Sequence, residues 1–247
     1  MRRKRIGRSH GSSDSETYEV FVTSGGKCGS TAMYRSFQKV ASSFFCHNTH
    51  YLKNFVLRGY RYDLMHFVNS HSTRAKPLIV NANREPLSRI ASAFFQNAPV
   101  DGHSLPIPAL VRKFKATKLF VVEQYSGADE WKQDGLDVYK YPFDHRKGYQ
   151  LIEHKGKTYL NLLYERIHEW ERIIQQTTRF KTFKLHKVNC TEHKTSGEIY
   201  RKFLAHLTPT HAELDKLYNM PFWKQYLNFY YTPGQIAQFR QKWTQRE

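Results

Sequence analysis

The residues with the clearest chemical potential lie in the stretch TSGGKCGST, residues 23–31. An apolar, β-favouring run, residues 18–22, precedes this stretch, and apolar residues at helical spacing follow it. A strand that turns through glycines into a helix N-terminus can bind a phosphate, because the backbone approaches the anion closely and the N–H groups of the first turn point at it. Lys27 would add a positive charge there, and Ser30 and Thr31 would add hydroxyl donors.

This loop differs from the Walker A phosphate loop of nucleotide kinases and ATPases. That pattern requires Gly, four residues and then Gly-Lys-Ser/Thr. Here the lysine precedes the last glycine, and the two hydroxyl residues follow that glycine. On this stretch alone, an ordinary glycine-rich turn of an α/β protein remains the alternative interpretation.

A second polar block follows the next strong strand pattern. Residues 76–83, KPLIVNAN, are typical of a buried strand, and they run directly into residues 84–94, REPLSRIASAF. Since proline suits the first turn of a helix, we expect Arg84 at the strand end, beside a helix N-terminus. Arg84, Ser88 and Ser92 recur at spacing four and therefore share one face. A forked guanidinium with hydroxyl donors suits a phosphate.

Together, the two blocks resemble sulfotransferases that use 3′-phosphoadenosine 5′-phosphosulfate (PAPS). The order Lys-x-Gly-Ser-Thr resembles their 5′-phosphosulfate loop. The block Arg-x-Pro-x-x-Arg-x-x-Ser-x-Phe, which begins 57 residues after Lys27, resembles their 3′-phosphate motif. Later segments, GLDVY, PFD, KGY, LLYERI and FYYTPGQIAQF, are similar to a microbial and viral subgroup often labelled capsular polysaccharide synthesis proteins. The resemblance runs from Tyr18 to Trp243.

The resemblance implies a fold, an activity and a donor. The implied fold is a single α/β domain with a central, mainly parallel β-sheet flanked by helices, the P-loop-like sulfotransferase fold, over residues 17–247, after a flexible basic tail over residues 1–16. The implied activity is transfer of a sulfuryl group from PAPS to an acceptor hydroxyl, most directly on a glycan or polysaccharide. The product nucleotide would be 3′-phosphoadenosine 5′-phosphate (PAP), and no metal is expected.

The resemblance also assigns roles to residues. Arg84 and Ser92 would hold the 3′-phosphate, Arg89 would support the loop, and Lys27 would neutralise charge on the leaving phosphate. A loop after the last strand closes over the nucleotide in this family, and Lys194 and Tyr200 are its counterparts here. The full nucleotide-binding set that the resemblance implies is Ser24, Gly25, Gly26, Lys27, Cys28, Gly29, Ser30, Thr31, Arg84, Ser92, Lys194 and Tyr200.

A base must accept the proton of the acceptor hydroxyl, and histidine suits that task near neutral pH. The run SSFFCHNTHY begins as a β pattern, which puts His47 and His50 near the carboxyl end of a second parallel strand, beside the phosphate loop. We expect His50, and after it His47, to be the base. His66 and His71 remain candidates, near the end of a helix predicted over residues 56–70.

Charge and cysteine content narrow the class of protein. The 39 Lys and Arg residues against 21 Asp and Glu give a net charge of +18, which favours polyanionic partners without choosing among them. Three widely spaced cysteines, Cys28, Cys46 and Cys190, indicate neither a disulfide framework nor a zinc site. With no apolar run long enough for a membrane span and no apolar signal core, a cytoplasmic protein in a reducing compartment is expected.

Two other classes stay open. One is a P-loop-type nucleotide kinase, and the other is a non-catalytic basic module that binds a polyanion, although no specific nucleic-acid partner is predicted. The expected acceptor is a glycan or another hydroxyl compound, including an anionic chain. The remaining element predictions are a partly helical segment over 109–131, an edge hairpin over 150–160, a buried strand over 158–164, a helix over 165–176, a strand over 180–188, a helix within 192–207, and closing helices whose aromatic residues pack in a core.

Overall fold

The structure is a computed structural model. It describes residues 17–24, 26–45, 55–57, 60–62, 64–74, 76–97, 105–117, 119, 126–186 and 197–245. The basic tail, residues 1–16, lies outside these ranges.

A five-stranded sheet with the order β2-β1-β5-β7-β6 forms the centre of the described chain. Four of its strands are parallel, and β6 pairs antiparallel with β7 at one edge. A separate pair, β3 and β4, is antiparallel. The strands are β1 Val20–Val22, β2 Ser43–Phe45, β3 Phe55–Leu57, β4 Tyr60–Tyr62, β5 Leu78–Asn83, β6 Tyr149–His154 and β7 Lys157–Leu163. The prediction of an α/β fold around a mainly parallel sheet is therefore confirmed.

Nine α-helices and three 3₁₀ helices surround the sheet in the described part of the chain. The α-helices are α1 Ser30–Phe37, α2 Leu64–His71, α3 Pro86–Asn97, α4 Ile107–Thr117, α5 Trp170–Thr177, α6 Gly197–His206, α7 His211–Tyr218, α8 Pro221–Tyr230 and α9 Pro233–Thr244. The 3₁₀ helices are Gly127–Asp134, Val138–Lys140 and Tyr164–Glu169. Within the described ranges, no helix has both the length and the apolar character needed to cross a membrane.

The sheet separates two apolar layers because strand side chains alternate between its faces. Val20 and Val22 of β1 join a cluster with α1 and α5, whereas Phe21 joins a cluster with α2 and the first 3₁₀ helix. A third cluster packs α3, α4 and α6 against α7–α9. The aromatic residues of the last quarter lie in this third cluster, so the prediction that they pack in a core is confirmed.

Two element predictions are wrong. The predicted helix over residues 56–70 is instead the β3–β4 pair followed by the shorter α2. Leu57 pairs with Tyr60 across the two strands, so the apparent helical spacing of these two residues is that of a cross-strand pair. The predicted strand over residues 180–188 has no strand in its described part, because Phe180 and Phe183 instead pack their rings on Phe37 of α1.

The chain contains one Gly-Lys-Thr run of the kind that ends a Walker A pattern, residues 156–158. It lies in the β6–β7 hairpin. Lys155 and Gly156 form a two-residue turn in which both have positive φ, 46° and 72°. This conformation is that of a type I′ hairpin turn. Lys157 is buried and donates to Asp134 at 3.0 Å. The run starts a strand rather than a helix and is therefore not a phosphate loop.

Candidate functional site

The two sequence blocks lie at the carboxyl ends of adjacent strands. From β1 the chain passes to β2 on one side, while β5, on the other side of β1, is followed outward by β7. The boundary between β1 and β5 is therefore a topological switch point, the place where open α/β sheets bind ligands. The loop of residues 23–31 follows β1, and Arg84 follows β5.

The start of the loop is bonded to β5. Thr23 donates its N–H to the Val80 carbonyl at 2.8 Å. The Ser24 hydroxyl is 1% exposed and accepts the Ala82 N–H at 2.7 Å. The sequence analysis assigned Ser24 to nucleotide binding. In the structure its side chain is instead bonded to β5 of the sheet.

Two residues of the loop have left-handed backbone conformations, Lys27 with φ 68° and Gly29 with φ 79°. A Cβ at Gly29 would lie 2.9 Å from Trp170 Cη2 and 3.3 Å from Tyr164 Cδ2, so glycine is required by space as well as by φ. At Lys27 the same conformation costs a non-glycine residue about 1–2 kcal/mol. Such strain is typical of functional sites.

Cys28 lies between these two residues and points into the core. Its side chain is 1% exposed, and its Sγ lies 3.6 Å from the Gly26 carbonyl. Burial raises the pKa of the thiol, and the positive charges of Arg89 and Arg84 oppose that shift in part. A neutral, inward thiol leaves only the backbone of Cys28 to face a ligand.

The loop ends at the N-terminus of α1. Gly29 is the N-cap and, within the described residues, no side chain caps this helix and no acidic residue lies in its first turn. Ser30 is buried and Thr31 is half-buried. The first-turn N–H groups of α1 are therefore suited to an anion.

Arg84 connects the two blocks. Its Nη1 donates to the Lys27 carbonyl at 2.9 Å. Its guanidinium carbon lies 4.2 Å from the centre of the Tyr164 ring, within cation–π distance. The arginine from the end of β5 thus reaches the loop that follows β1.

Ser92 of α3 and Tyr200 of α6 meet Arg84. The side chains of Ser92 and Arg84 are polar neighbours of the Tyr200 hydroxyl and act on its pKa. Burial raises the pKa of Tyr200, and the two polar neighbours oppose that shift. Arg84, Ser92 and Tyr200, which the sequence analysis assigned to nucleotide binding, therefore lie near one another although they come from three separate elements.

Arg89 is the buried positive charge beside the loop. Its side chain is 9% exposed, and its charge acts on the pKa values of Cys28 and Asp129. For Asp129, burial raises the pKa, while the Ser126 backbone N–H and the charges of Lys132 and Arg89 lower it in part. Arg89 therefore lies close enough to the loop for its charge to act on Cys28.

Gly25, His47, His50 and Lys194 lie outside the described residues.

Of the alternative bases, His71 is at the wrong edge of the sheet. Its carbonyl accepts the Tyr18 N–H at 2.7 Å, before β1 begins, whereas the loop follows β1. Six residues of extended chain separate Tyr18 from Ser24, roughly 20 Å. His66 is exposed on α2.

Sequence reasoning missed two contributors, Tyr164 and Glu85. Tyr164 supplies the ring beneath Arg84 and lines Gly29. Glu85 is 1% exposed, and its carboxylate accepts the N–H groups of Leu87 and Ser88, both at 2.7 Å, so it caps α3. An acidic residue directly before the first-turn proline was the available signal for Glu85. No spacing pattern links Tyr164 to the loop.

A basic cavity lies at the other end of α1. It has a volume of about 260 Å³ and is lined by exposed side chains, Arg35, Gln38, Lys39 and His186. The His186 N–H is bonded to the Ser36 hydroxyl at 2.8 Å, which fixes the cavity wall to the helix.

No family model matches the chain, and comparisons with curated proteins and with solved structures find no match. Among the residues that the structure describes, no group of three or more His, Cys, Asp or Glu side chains is arranged to hold a metal ion.

Proposed function

We propose that the protein transfers a sulfuryl group from PAPS to a hydroxyl of an acceptor, with a glycan or polysaccharide as the acceptor class. The main support is the contact from Arg84 to the Lys27 carbonyl, because it unites the two phosphate motifs at the switch point of the sheet. A donor with phosphates at its 3′ and 5′ positions needs two anion sites side by side, and the arrangement of loop, Arg84 and Ser92 suits that need.

The reaction that we propose moves one group. The acceptor oxygen forms a bond to sulfur while the bond from sulfur to the bridging oxygen of the phosphosulfate breaks, PAP departs, and the hydroxyl proton passes to a base. Such a transfer depends mainly on positioning and on stabilisation of developing charge. In the proposal the loop N–H groups with Ser30 and Thr31 bind the 5′-phosphate, and Lys27 stabilises the charge that develops on the bridging oxygen.

The base remains a proposal from sequence, with His50 first and His47 second. His71 drops out because it lies at the opposite sheet edge. The expected outcome is that His50→Ala reduces the rate of transfer while PAP affinity stays near that of the wild type, since a base acts on the acceptor proton and not on the nucleotide.

Thermal denaturation with PAP tests the nucleotide site. A ligand at a hundred times its dissociation constant stabilises by about 2.7 kcal/mol, so PAP without metal should raise the melting temperature, and ATP with Mg²⁺ should not. Arg84→Ala should lose the rise. Arg172→Ala, which removes an exposed arginine that pairs with Glu169, is the matched control and should keep it. A rise with ATP and Mg²⁺ alone would overturn the proposal in favour of a nucleotide kinase.

The basic cavity favours a second candidate, a protein that binds an acidic polymer without catalysis. Within the described residues, Arg35 and Lys39 form no ion pair with a carboxylate, and His186, which lines the same cavity, is exposed. Such binding should weaken steeply with salt and should be indifferent to Lys27→Ala. A shift in melting temperature with heparin, with none for PAP, would favour this candidate over the transferase.

A further inference from the structure

The backbone of Arg84 is held by one tyrosine hydroxyl. Tyr226 of α8 accepts the Arg84 N–H at 2.9 Å and donates to the Arg84 carbonyl at 3.2 Å. The Tyr226 side chain is 1% exposed. Both polar groups of the Arg84 peptide backbone thus have the same partner, and this partner lies 142 residues away in the chain.

The next residue, Glu85, receives two further donors from the closing helices. The Tyr218 hydroxyl of α7 donates to Oε1 at 2.7 Å, and the Trp243 indole N–H of α9 donates to Oε2 at 3.3 Å. With the N–H groups of Leu87 and Ser88, the Glu85 carboxylate accepts four hydrogen bonds. Its position is therefore fixed from both the α3 side and the closing-helix side.

A second, half-buried carboxylate completes the arrangement. Glu165 accepts the Glu85 N–H at 2.8 Å and the Tyr231 hydroxyl at 2.9 Å. Arg84 and Glu85 are thus bonded through backbone or side chain to Glu165, Tyr218, Tyr226 and Trp243, and Tyr231 holds Glu165. We call these five residues the clamp: Glu165, Tyr218, Tyr226, Tyr231 and Trp243.

Apolar packing alone does not require this convergence. The third core cluster would bury phenylalanine as well as tyrosine at these positions, whereas hydrogen bonds depend on both distance and direction. The closing helices α7, α8 and α9 do not use these groups to contact the phosphate loop. Their polar side-chain atoms instead bond to Arg84 and Glu85, the two residues that start the 3′-phosphate motif. Their common effect is to fix where the Arg84 guanidinium emerges.

We infer that the closing helices set the preference for a 3′-phosphorylated nucleotide, with Tyr226 as the positioning residue that holds Arg84. The inference rests on the proposed function and deepens it. Tyr226 touches no reacting atom. It acts through the backbone of Arg84, so its loss should weaken recognition of the 3′-phosphate and leave recognition of the 5′-phosphate loop intact.

The test measures the affinities of PAP and of adenosine 5′-monophosphate, which differ only in the 3′-phosphate, by titration calorimetry. Their ratio in the wild type defines the 3′ preference. Tyr226→Phe keeps the ring and removes the hydroxyl, and we expect it to lower that ratio at least about fivefold while the monophosphate affinity stays unchanged. Tyr218→Phe, one bond further from Arg84, should lower the ratio less.

Tyr159→Phe is the matched control. Its hydroxyl is also buried and donates to Asp134 at 2.6 Å, from β7 of the hairpin. This variant should lower the melting temperature and leave the ratio unchanged. The inference is overturned if Tyr226→Phe and Tyr159→Phe change the ratio equally, or if neither changes it. A wild type with no preference for PAP would instead remove the proposed function.

Discussion

Lys27 and Lys155 share a rare backbone conformation in two different settings. Their φ values are 68° and 46°, and they are the non-glycine residues with positive φ in the described chain. Lys155 lies in a two-residue hairpin turn beside Gly156. Lys27 lies in a loop that joins a strand to a helix.

The geometry of the hairpin accounts for the positive φ of Lys155, whereas the loop offers no such local reason for the positive φ of Lys27. A type I′ turn needs positive φ at both central residues because its twist matches that of the paired strands. No strand pairing demands left-handed Lys27. Its carbonyl instead faces Arg84, and the next left-handed residue, Gly29, begins α1. Strain without a local cause supports a functional role for the loop.

The sharpest contrast is expected in catalysis. Lys27→Ala should lower the transfer rate about 10²–10³-fold, the usual effect of removing one group that stabilises developing charge. Lys155→Ala should stay within about twofold of the wild type, because Lys155 bonds only to the Asp134 carbonyl in the described structure. The measurement is the initial rate of radiolabelled sulfate transfer from PAPS to a polysaccharide. Equal losses of transfer rate in the two variants would contradict the idea that Lys27 has a role that Lys155 lacks.

The glycines of the two turns should differ in stability. Gly29→Ala meets Trp170 and also adopts positive φ, so it should cost about 2–5 kcal/mol of unfolding free energy, from overpacking and backbone strain together. Gly156→Ala has no atom within 4 Å of the new Cβ and should cost about 1–2 kcal/mol, from strain alone. Urea denaturation measures both. A larger loss for Gly156→Ala would contradict the crowding argument.

Two acids near the two regions, Glu165 and Asp134, should respond oppositely to pH. Burial raises the pKa of Glu165 above its ordinary value of 4.5, so the native state keeps its proton longer and stability falls as pH rises above that value. For Asp134, burial opposes the shift, but hydrogen bonds from Tyr159 and Lys157 hold its pKa below 3.8. Its contribution to stability is therefore lost as pH falls below 3.8.

Glu165→Gln and Asp134→Asn separate these effects. The first should remove a slope of at most about 1.4 kcal/mol per pH unit above pH 4.5, and the second should remove a slope of opposite sign below pH 3.8. Denaturation curves across the acid range measure both slopes. Unchanged slopes in both variants would show that the pKa values of these carboxyls are the same in the folded and the unfolded chain.

The smallest expected difference is in stability, when Lys27 or Lys155 is replaced by glycine. Lys27→Gly relieves the strained conformation and should raise unfolding free energy by up to about 1 kcal/mol, after the entropy cost of glycine is subtracted. Lys155→Gly should gain less, since it also loses the bond to the Asp134 carbonyl. Denaturant midpoints measure the gains. A stable but inactive Lys27→Gly is the expected outcome, and an active one would argue against a role for the ammonium group.

The local parts of the fold and site followed from sequence. Pro86 predicted the start of α3, the run before Arg84 predicted a buried strand, and the glycines predicted the loop after β1. These signals depend on neighbours in the chain. The segment 56–70 was misread because Leu57 and Tyr60 fit a helical face as well as a cross-strand pair.

The long-range parts could not be predicted in this way. Nothing in the spacing of Tyr226 marks it as the partner of Arg84, since an aromatic residue at helical spacing predicts only burial. Phe183 was assigned to a strand because its apolar neighbourhood suits one, yet it covers Phe37 of α1. Which buried surface a residue meets depends on the assembled layers of the fold.

The clamp also bears on the order in which the parts of the molecule can fold. Its three contacts from the last helices to Arg84 and Glu85 span 133, 142 and 158 residues, so they close among the largest chain loops of the protein. Contacts of such separation form slowly, because loop entropy opposes them until the rest of the fold is in place. A chain emerging from the ribosome has both anion motifs in its first half and gains the groups that align them only when α9 has been made. Nucleotide binding would then report that the closing helices are in place.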